Sequence, residues 1–271
     1  MAGKIDNVFN DIGRLEMLAE QNSPIHRLDP RAKLLVTIFF VLTVVSYDKY
    51  AIADLLPFFL YPAMIIGLAN LPVGYLLKKL LIVSPFVLFI TIFNPFIDRE
   101  IMVELGPLAI SGGWISFASL LLRFSLTVGA ALLLIATTGF PAVCGALDKM
   151  GAPRILTVQF LMLYRYLFVL IEEGIRMIRA HALRSFSRSR PRYRVYLQLL
   201  GNLLLRTLDR AQRIHLAMLS RAFSGEIKTV RQFNFGRAEL LFLLSATGTF
   251  IILRATHLTG LLGSLILEIV R

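Results

Sequence analysis

The chain has 271 residues, of which 56% are hydrophobic and 17% are charged, and its formal net charge is +12. Ordinary soluble domains carry about 25% charged residues, so this composition is typical of a membrane protein. The single cysteine, Cys144, excludes an internal disulfide framework, and the four histidines lie far apart without metal-ligand spacing, so the sequence indicates no metal site.

Residues 1–33 are predicted to form a cytoplasmic N-terminal segment that contains an amphipathic helix, because apolar side chains recur there at helical spacing. The segment runs into LDPRAKLL (28–35), where Asp29 can cap the first membrane helix with a proline at the first helical position. Arg31 and Lys33 fit a positively charged anchor at the cytoplasmic face. Contact with a partner protein is the alternative.

Residues 34–140 are predicted to hold four membrane-spanning helices, since a spanning helix needs about 20 mostly apolar residues. Suitable segments lie at 34–47 extended by its flanks, 51–70, 80–97 and 114–138, and a fifth lies at 239–254 within a C-terminal region of residues 236–271. Basic residues before the first span, and Lys78 with Lys79 between the second and third, predict a cytoplasmic N-terminus. The pattern leaves open whether residues 256–271 span and on which side the chain ends.

Arg123 lies inside the predicted fourth span, where a charged side chain is costly and is a functional candidate by default. Asp54, near the outer end of the second span, is its possible ion-pair partner. A structural pair, or an arginine that reaches the membrane surface, is the preferred interpretation.

Residues 141–235 are predicted to form a cytoplasmic region with a short helix near 141–151 and two long helices. Between residues 142 and 238 the chain carries 17 basic and 5 acidic residues, which accounts for its whole net charge. Such a region could attract nucleic acid, anionic lipid or an acidic protein surface. The segment 155–171 is apolar, but a crossing there would invert the preceding spans, so it is predicted to be the apolar face of a cytoplasmic helix, as is 195–205.

Two stretches, RMIRAHALRSFS (176–187) and RIHLAMLSRAFS (213–224), share the pattern R-x-x-x-A-x-x-x-R-[SA]-F-S, and an acidic residue lies four positions before each. Residues four apart lie on one helix face, so acid, Arg, Ala and Arg form a stripe. Pairing on an exposed helix explains the charges but not the small residue and phenylalanine that follow each arginine. Arginine and aromatic residues are favoured at interface hot spots, so the pattern predicts two docking motifs.

The predicted docking residues are Ala180, Arg184, Ser185 and Phe186 in the first motif and Ala217, Arg221, Ala222 and Phe223 in the second. The predicted supporting stripe consists of Glu172, Arg176, Asp209 and Arg213.

The chain resembles the T components of energy-coupling factor (ECF) transporters, and within that family CbiQ, its cobalt-uptake member. The resemblance rests on SPIHRLDPRAKLL (23–35), TTGFP (137–141), GALDKMGAP (145–153) and AMLSRAFSGE (217–226). In that family the T protein is a transmembrane scaffold whose coupling helices end in Ala-Arg-Gly motifs, which implies that Arg184 and Arg221 are the motif arginines. Ser185 and Ala222 replace the glycine, so the turn after each arginine is not expected to need a positive φ.

The resemblance implies an all-α integral membrane protein in the cell inner membrane, with about five transmembrane helices and long cytoplasmic coupling helices. It implies two ABC-type ATPase subunits similar to CbiO, which would carry ATP and magnesium, a substrate-binding membrane subunit similar to CbiM, and a small accessory membrane subunit similar to CbiN. The chain itself is expected to hold no cofactor or metal, to contact membrane lipid and to bind no nucleic acid. Cobalt rests on the resemblance alone, with nickel or a vitamin left open.

Two other functions remain open on the residues. A membrane enzyme acting on a phosphate-bearing lipid-linked substrate would use the arginines to bind phosphate, but the histidines are scattered. A self-sufficient carrier would need polar groups gathered at the middle of the membrane, where Arg123 stands nearly alone. The sequence contains no G-x-x-x-x-G-K-[ST] phosphate loop, so the preferred interpretation is a coupling scaffold that is not an enzyme and takes its energy from another chain.

Overall fold

The computed structural model describes residues 13–94, 101–105, 108–184, 193–223, 225 and 236–255. Within these ranges the regular structure is helical apart from one two-stranded hairpin, so the fold class is all-α. The chain divides into two compact units. The arm unit comprises Met1–Met17 and Phe140–Gln232, and the core unit comprises Leu18–Gly139 and Phe233–Arg271.

The described helices follow one another along the chain. They are α1 (13–19), α2 (Pro24–Arg27), α3 (Pro30–Val45), α4 (Ile52–Leu55), α5 (Leu60–Ala69), α6 (Val73–Thr91), α7 (Gly112–Thr138), α8 (Phe140–Lys149), α9 (Arg154–Arg184), α10 (Tyr193–Ser220) and α11 (Arg237–Ala255). A 3₁₀ turn, Leu56–Phe59, joins α4 to α5. Strands β1 (Ile101–Leu105) and β2 (Leu108–Ser111) form an antiparallel hairpin before α7 that the sequence did not predict.

The core unit is built around α3, whose side chains are the most deeply buried. Phe40 is fully buried, and its ring centroid lies 4.7 Å from that of Tyr61 and 5.2 Å from that of Phe250. Aromatic rings at these separations add to the free energy of apolar burial. The remaining buried members of this cluster are Val36, Val44, Leu55, Phe58, Leu126 and Ala130.

Among the described residues, five helical segments are long and apolar enough to cross a membrane: Ile52–Ala69, Val73–Thr91, Gly112–Thr138, Arg154–Arg184 and Arg237–Ala255. The number agrees with the predicted five, but the members differ. Helix α3, predicted as the first span, has 16 residues, fewer than the roughly 20 that a span needs. Helix α9 qualifies by length and composition, so its cytoplasmic position stays a prediction.

The predicted start of the third span is wrong. Helix α6 begins at Val73, directly after Pro72, so Lys78 and Lys79 lie within the helix and not in a loop before it. Asn70 ends α5 with a left-handed backbone, φ 51°, and the new helix starts three residues later. A left-handed residue followed by proline ends one helix and precedes the next. Hydropathy alone does not detect this signal.

Candidate docking site on the paired helices

The first predicted motif lies at the end of α9. Ala180 and Arg184 are exposed there, and the side chain of Leu183 between them is 88% exposed. Ser185 and Phe186 lie outside the described residues, so their roles stay predictions. The described half of the motif is therefore a helix end that presents an arginine without burying it in the arm unit.

The second predicted motif ends α10 with a hydrogen-bonded turn. The amide of Ala222 donates to the carbonyl of Leu219 at 3.0 Å, and the amide of Phe223 donates to that of Met218 at 3.1 Å. This pair of bonds defines a Schellman cap, in which the residue after the helix is left-handed. Ala222 has φ 53°, so the expectation that this turn needs no positive φ is wrong.

Around that turn, Ala217, Arg221 and Ala222 are exposed, whereas Phe223 is half-buried. Phe223 lines two cavities of the arm unit, one of about 670 Å³ and one of about 660 Å³. Met218 lines both cavities with it, as expected for the apolar contact that accompanies a Schellman cap. Phe223 thus packs partly on its own unit, while Arg221 is left at the surface.

The predicted stripe makes different contacts from those expected. The guanidinium of Arg176 pairs with Glu173 at 3.2 Å, three residues away, where the spacing suggested Glu172. The Nε of Arg213 donates to the backbone carbonyl of Asp209 at 3.3 Å. Both arginines therefore brace their own helices close to the motifs, and a docking role for the stripe stays a prediction.

Glu173 is a residue that the sequence reasoning missed. Its carboxylate accepts a hydrogen bond of 2.6 Å from Nη1 of Arg206, which lies on the other long helix. Its side chain is 16% exposed, against 62% for Arg206. The available signal was the pair of adjacent acids at 172 and 173, of which the second is followed by a glycine where another helix can approach.

The two long helices are antiparallel. Residues 158–170 of α9 and residues 207–219 of α10 face each other across the 670 Å³ cavity. At about 1.5 Å per residue, Arg184 lies roughly 16 Å along α9 beyond Glu173, and Arg221 roughly 22 Å along α10 beyond Arg206. Because the helices run in opposite directions, the two motif arginines lie at opposite ends of the pair.

The cap predicted at the start of α3 is confirmed. Asp29 is buried and accepts a hydrogen bond of 2.9 Å from the amide of Arg31, and Pro30 is the first helical residue. Lys33 is buried too, and its Nζ donates to the carbonyl of Thr137 at 2.8 Å. Lys33 is therefore a structural residue of the core unit.

Arg123 is half-buried in α7 and donates a hydrogen bond to the backbone carbonyl of Asp48. This contact ties α7 to the turn that follows α3. A pairing of Arg123 with Asp54 stays a prediction.

In the part of the chain that the structure describes, no group of three or more His, Cys, Asp or Glu side chains is placed to hold a metal ion. Cys144 is buried in α8 as a free thiol, and burial raises its pKa because the thiolate is poorly solvated there.

Across the residues that the structure describes, five helical segments are long and apolar enough to span a membrane, one of them α9 of the arm unit, and they define a multi-pass membrane protein. Comparison with known proteins identifies its class as a membrane component of a transporter and not an enzyme. The family model described as CbiQ, cobalt transport protein, matches residues 21–231. The chain therefore belongs to the CbiQ family, and the resemblance to ECF transporter T components is confirmed.

Individual relatives agree with this assignment. The energy-coupling factor transporter transmembrane protein EcfT of Thermosediminibacter oceani is 29% identical over 247 residues, covering 84% of this chain and 91% of the relative. EcfT of Bacillus subtilis is 26% identical over 218 residues, covering 75% and 82%. The cobalt transport protein CbiQ of Salmonella typhimurium is 31% identical over 139 residues, covering 48% and 62%.

Proposed function

We propose that this chain is the coupling scaffold of an ECF-type ABC importer in the cell inner membrane. Its motif arginines dock on two cytoplasmic ATPases similar to CbiO, which bind ATP and magnesium. The scaffold passes their motion to a substrate-binding membrane subunit similar to CbiM, with a small subunit similar to CbiN, for uptake of cobalt or nickel. The N-terminus lies in the cytoplasm with the ATPases.

The observation that carries this proposal is the position of the two motif arginines. Both are exposed, and they lie at opposite ends of one antiparallel helix pair. Helix ends separated in this way fit two equivalent sites on a dimeric partner better than one site on a single partner. The basic charge concentrated in this part of the chain favours carboxylates in those sites.

Cobalt and nickel are proposed from the family and from the printed name of the CbiQ relative. The scaffold needs no ligand set for the ion in this scheme, because the ion is bound by the membrane partner. Uptake of radioactive cobalt, with nickel as competitor, by cells that express the complete transporter identifies the ion.

The docking proposal is tested by Arg184→Ala, Arg221→Ala and the double variant, with Arg194→Ala as a matched control. Arg194 is an exposed arginine of α10 outside both motifs. Removing one partner of a buried charged pair costs about 2–5 kcal/mol, so each motif variant is expected to weaken ATPase binding by at least tenfold.

The readouts are co-purification of the ATPases with the tagged scaffold and metal uptake by the assembled transporter. We expect the double variant to lose both and Arg194→Ala to keep both. The proposal is wrong if the double variant binds the ATPases and supports uptake as well as the unmodified chain.

A further inference from the structure

A polar contact between Glu173 and Arg206 joins the two long helices of the arm unit. The Glu173 carboxylate accepts a hydrogen bond of 2.6 Å from Arg206 across the helix pair and forms an ion pair with Arg176 on its own helix, at 3.2 Å. With both oxygens engaged by arginines, this is a charge-assisted arrangement with defined geometry. It links α9 to α10 at this level.

Close packing accompanies the ion pair. Gly174 has no side chain, and a Cβ built at this position would lie 3.9 Å from Cδ2 of Leu203 on α10. Leu203 of α10 therefore lies beside Gly174 of α9, next to the Glu173 contact, with room for a Cβ between them. Neighbouring residues of the two helices thus face each other at the level of the ion pair.

On one side of this crossing the helices no longer fill the space between them. The cavity of about 670 Å³ is lined mainly by apolar side chains, from Val158 to Leu170 on α9 and from Thr207 to Leu219 on α10. Apolar surfaces can slide over one another at little cost because their contacts are not directional. An arginine bound to a carboxylate in a fixed geometry resists sliding and rotation more strongly.

We propose that Glu173 is a positioning residue that holds the crossing of α9 and α10 through Arg206. The part of α10 from Arg206 to Arg221 then moves as an arm about this point. At about 1.5 Å per residue the arm is roughly 22 Å long, so a change of about 10° in the crossing angle displaces its tip by about 4 Å. The role of this arm in transport rests on the proposed function, because the end of the arm carries the second docking motif.

The crossing is measured by distances between nitroxide labels in the full chain, reconstituted in lipid nanodiscs without partners. Cys144→Ala removes the native cysteine, and Ile155→Cys with Leu219→Cys places one label near the start of α9 and one on α10 at the cavity. Both positions are well exposed, at 76% and 59%. Pulsed electron paramagnetic resonance is expected to give one narrow distance distribution for the unmodified crossing.

Glu173→Gln is expected to broaden that distribution or shift its mean by about 4 Å, the displacement for a 10° change over the arm. Arg206→Gln removes the same contact from the other helix and is expected to have the same effect. Glu172→Gln is the matched control, since it removes the same charge one residue away on an exposed side chain and should leave the distances unchanged. Arg206→Lys, which keeps a cation opposite Glu173, should perturb the distribution less than Arg206→Gln.

The inference is overturned if both single variants keep the narrow distribution, or if Arg206→Lys broadens it as much as Arg206→Gln. A loss of side-chain packing alone would not depend on whether position 206 keeps its charge. Because these distances are recorded without ATPases, they stand or fall independently of the docking proposal. In the assembled transporter, Glu173→Gln is expected to retain ATPase binding and to lose at least half of the metal uptake.

Discussion

Replacing Ala222 by glycine is expected to strengthen the second motif. Ala222 has φ 53°, and a left-handed backbone costs a residue with a Cβ roughly 1–2 kcal/mol. Glycine removes this cost, but its greater conformational freedom in the unfolded chain opposes part of the stabilisation. The net stabilisation of the turn is about 1 kcal/mol. Valine, which is β-branched, should be worse than alanine here.

Amide hydrogen exchange measures this effect directly. The amides of Arg221 and Phe223 both donate to the Met218 carbonyl, at 3.1 Å each. A gain of about 1 kcal/mol slows their exchange by roughly fivefold in Ala222→Gly, whereas Ala222→Val speeds it. The affinity for the ATPases should rise by no more than the same factor, because only the folded turn is competent to dock.

Ala211→Gly is the matched control for this prediction. It makes the same chemical change inside α10, where the backbone is right-handed and glycine costs about 1 kcal/mol relative to alanine. Exchange in that turn should therefore become faster. The reasoning is refuted if Ala222→Gly also speeds exchange, since the left-handed turn would then contribute no strain that glycine can relieve.

Two further predictions concern the buried groups Lys33 and Cys144. Lys33→Met should lower the stability of the core unit by about 1.5–3 kcal/mol, because the Thr137 carbonyl loses a charged donor. Thermal unfolding measures this loss, with exposed Lys78→Met as the control. Equal unfolding midpoints for the two variants would contradict the prediction. Burial raises the Cys144 pKa, so the thiol stays protonated to higher pH in the folded chain than in the unfolded chain. The free energy of unfolding therefore falls as the pH rises through the range in which the thiol loses its proton. Maleimide labelling, followed by mass spectrometry, should be slower in the folded than in the unfolded chain, and equal rates would contradict it.

Much of the fold could be predicted from local pattern. The span predicted at 114–138 is the helix Gly112–Thr138, and the span predicted at 239–254 is Arg237–Ala255. The short helix expected near 141–151 is Phe140–Lys149. Hydropathy, helical period and turn residues act within a few neighbours along the chain, so they can be read without knowledge of the tertiary fold.

The sequence by itself determined the helical class, the membrane character, the Asp29 cap and the two repeated motifs, because each depends on composition or on residues at most a few turns apart. Only the tertiary structure decided that Lys33 bonds to Thr137, that Glu173 and not Glu172 engages Arg176 and Arg206, and that Ala222 is left-handed. The first and second depend on which distant helices pack together. The third depends on which hydrogen bonds the last backbone carbonyls of α10 accept at the end of the helix. None of these three features produces a residue spacing in the sequence from which it could be predicted.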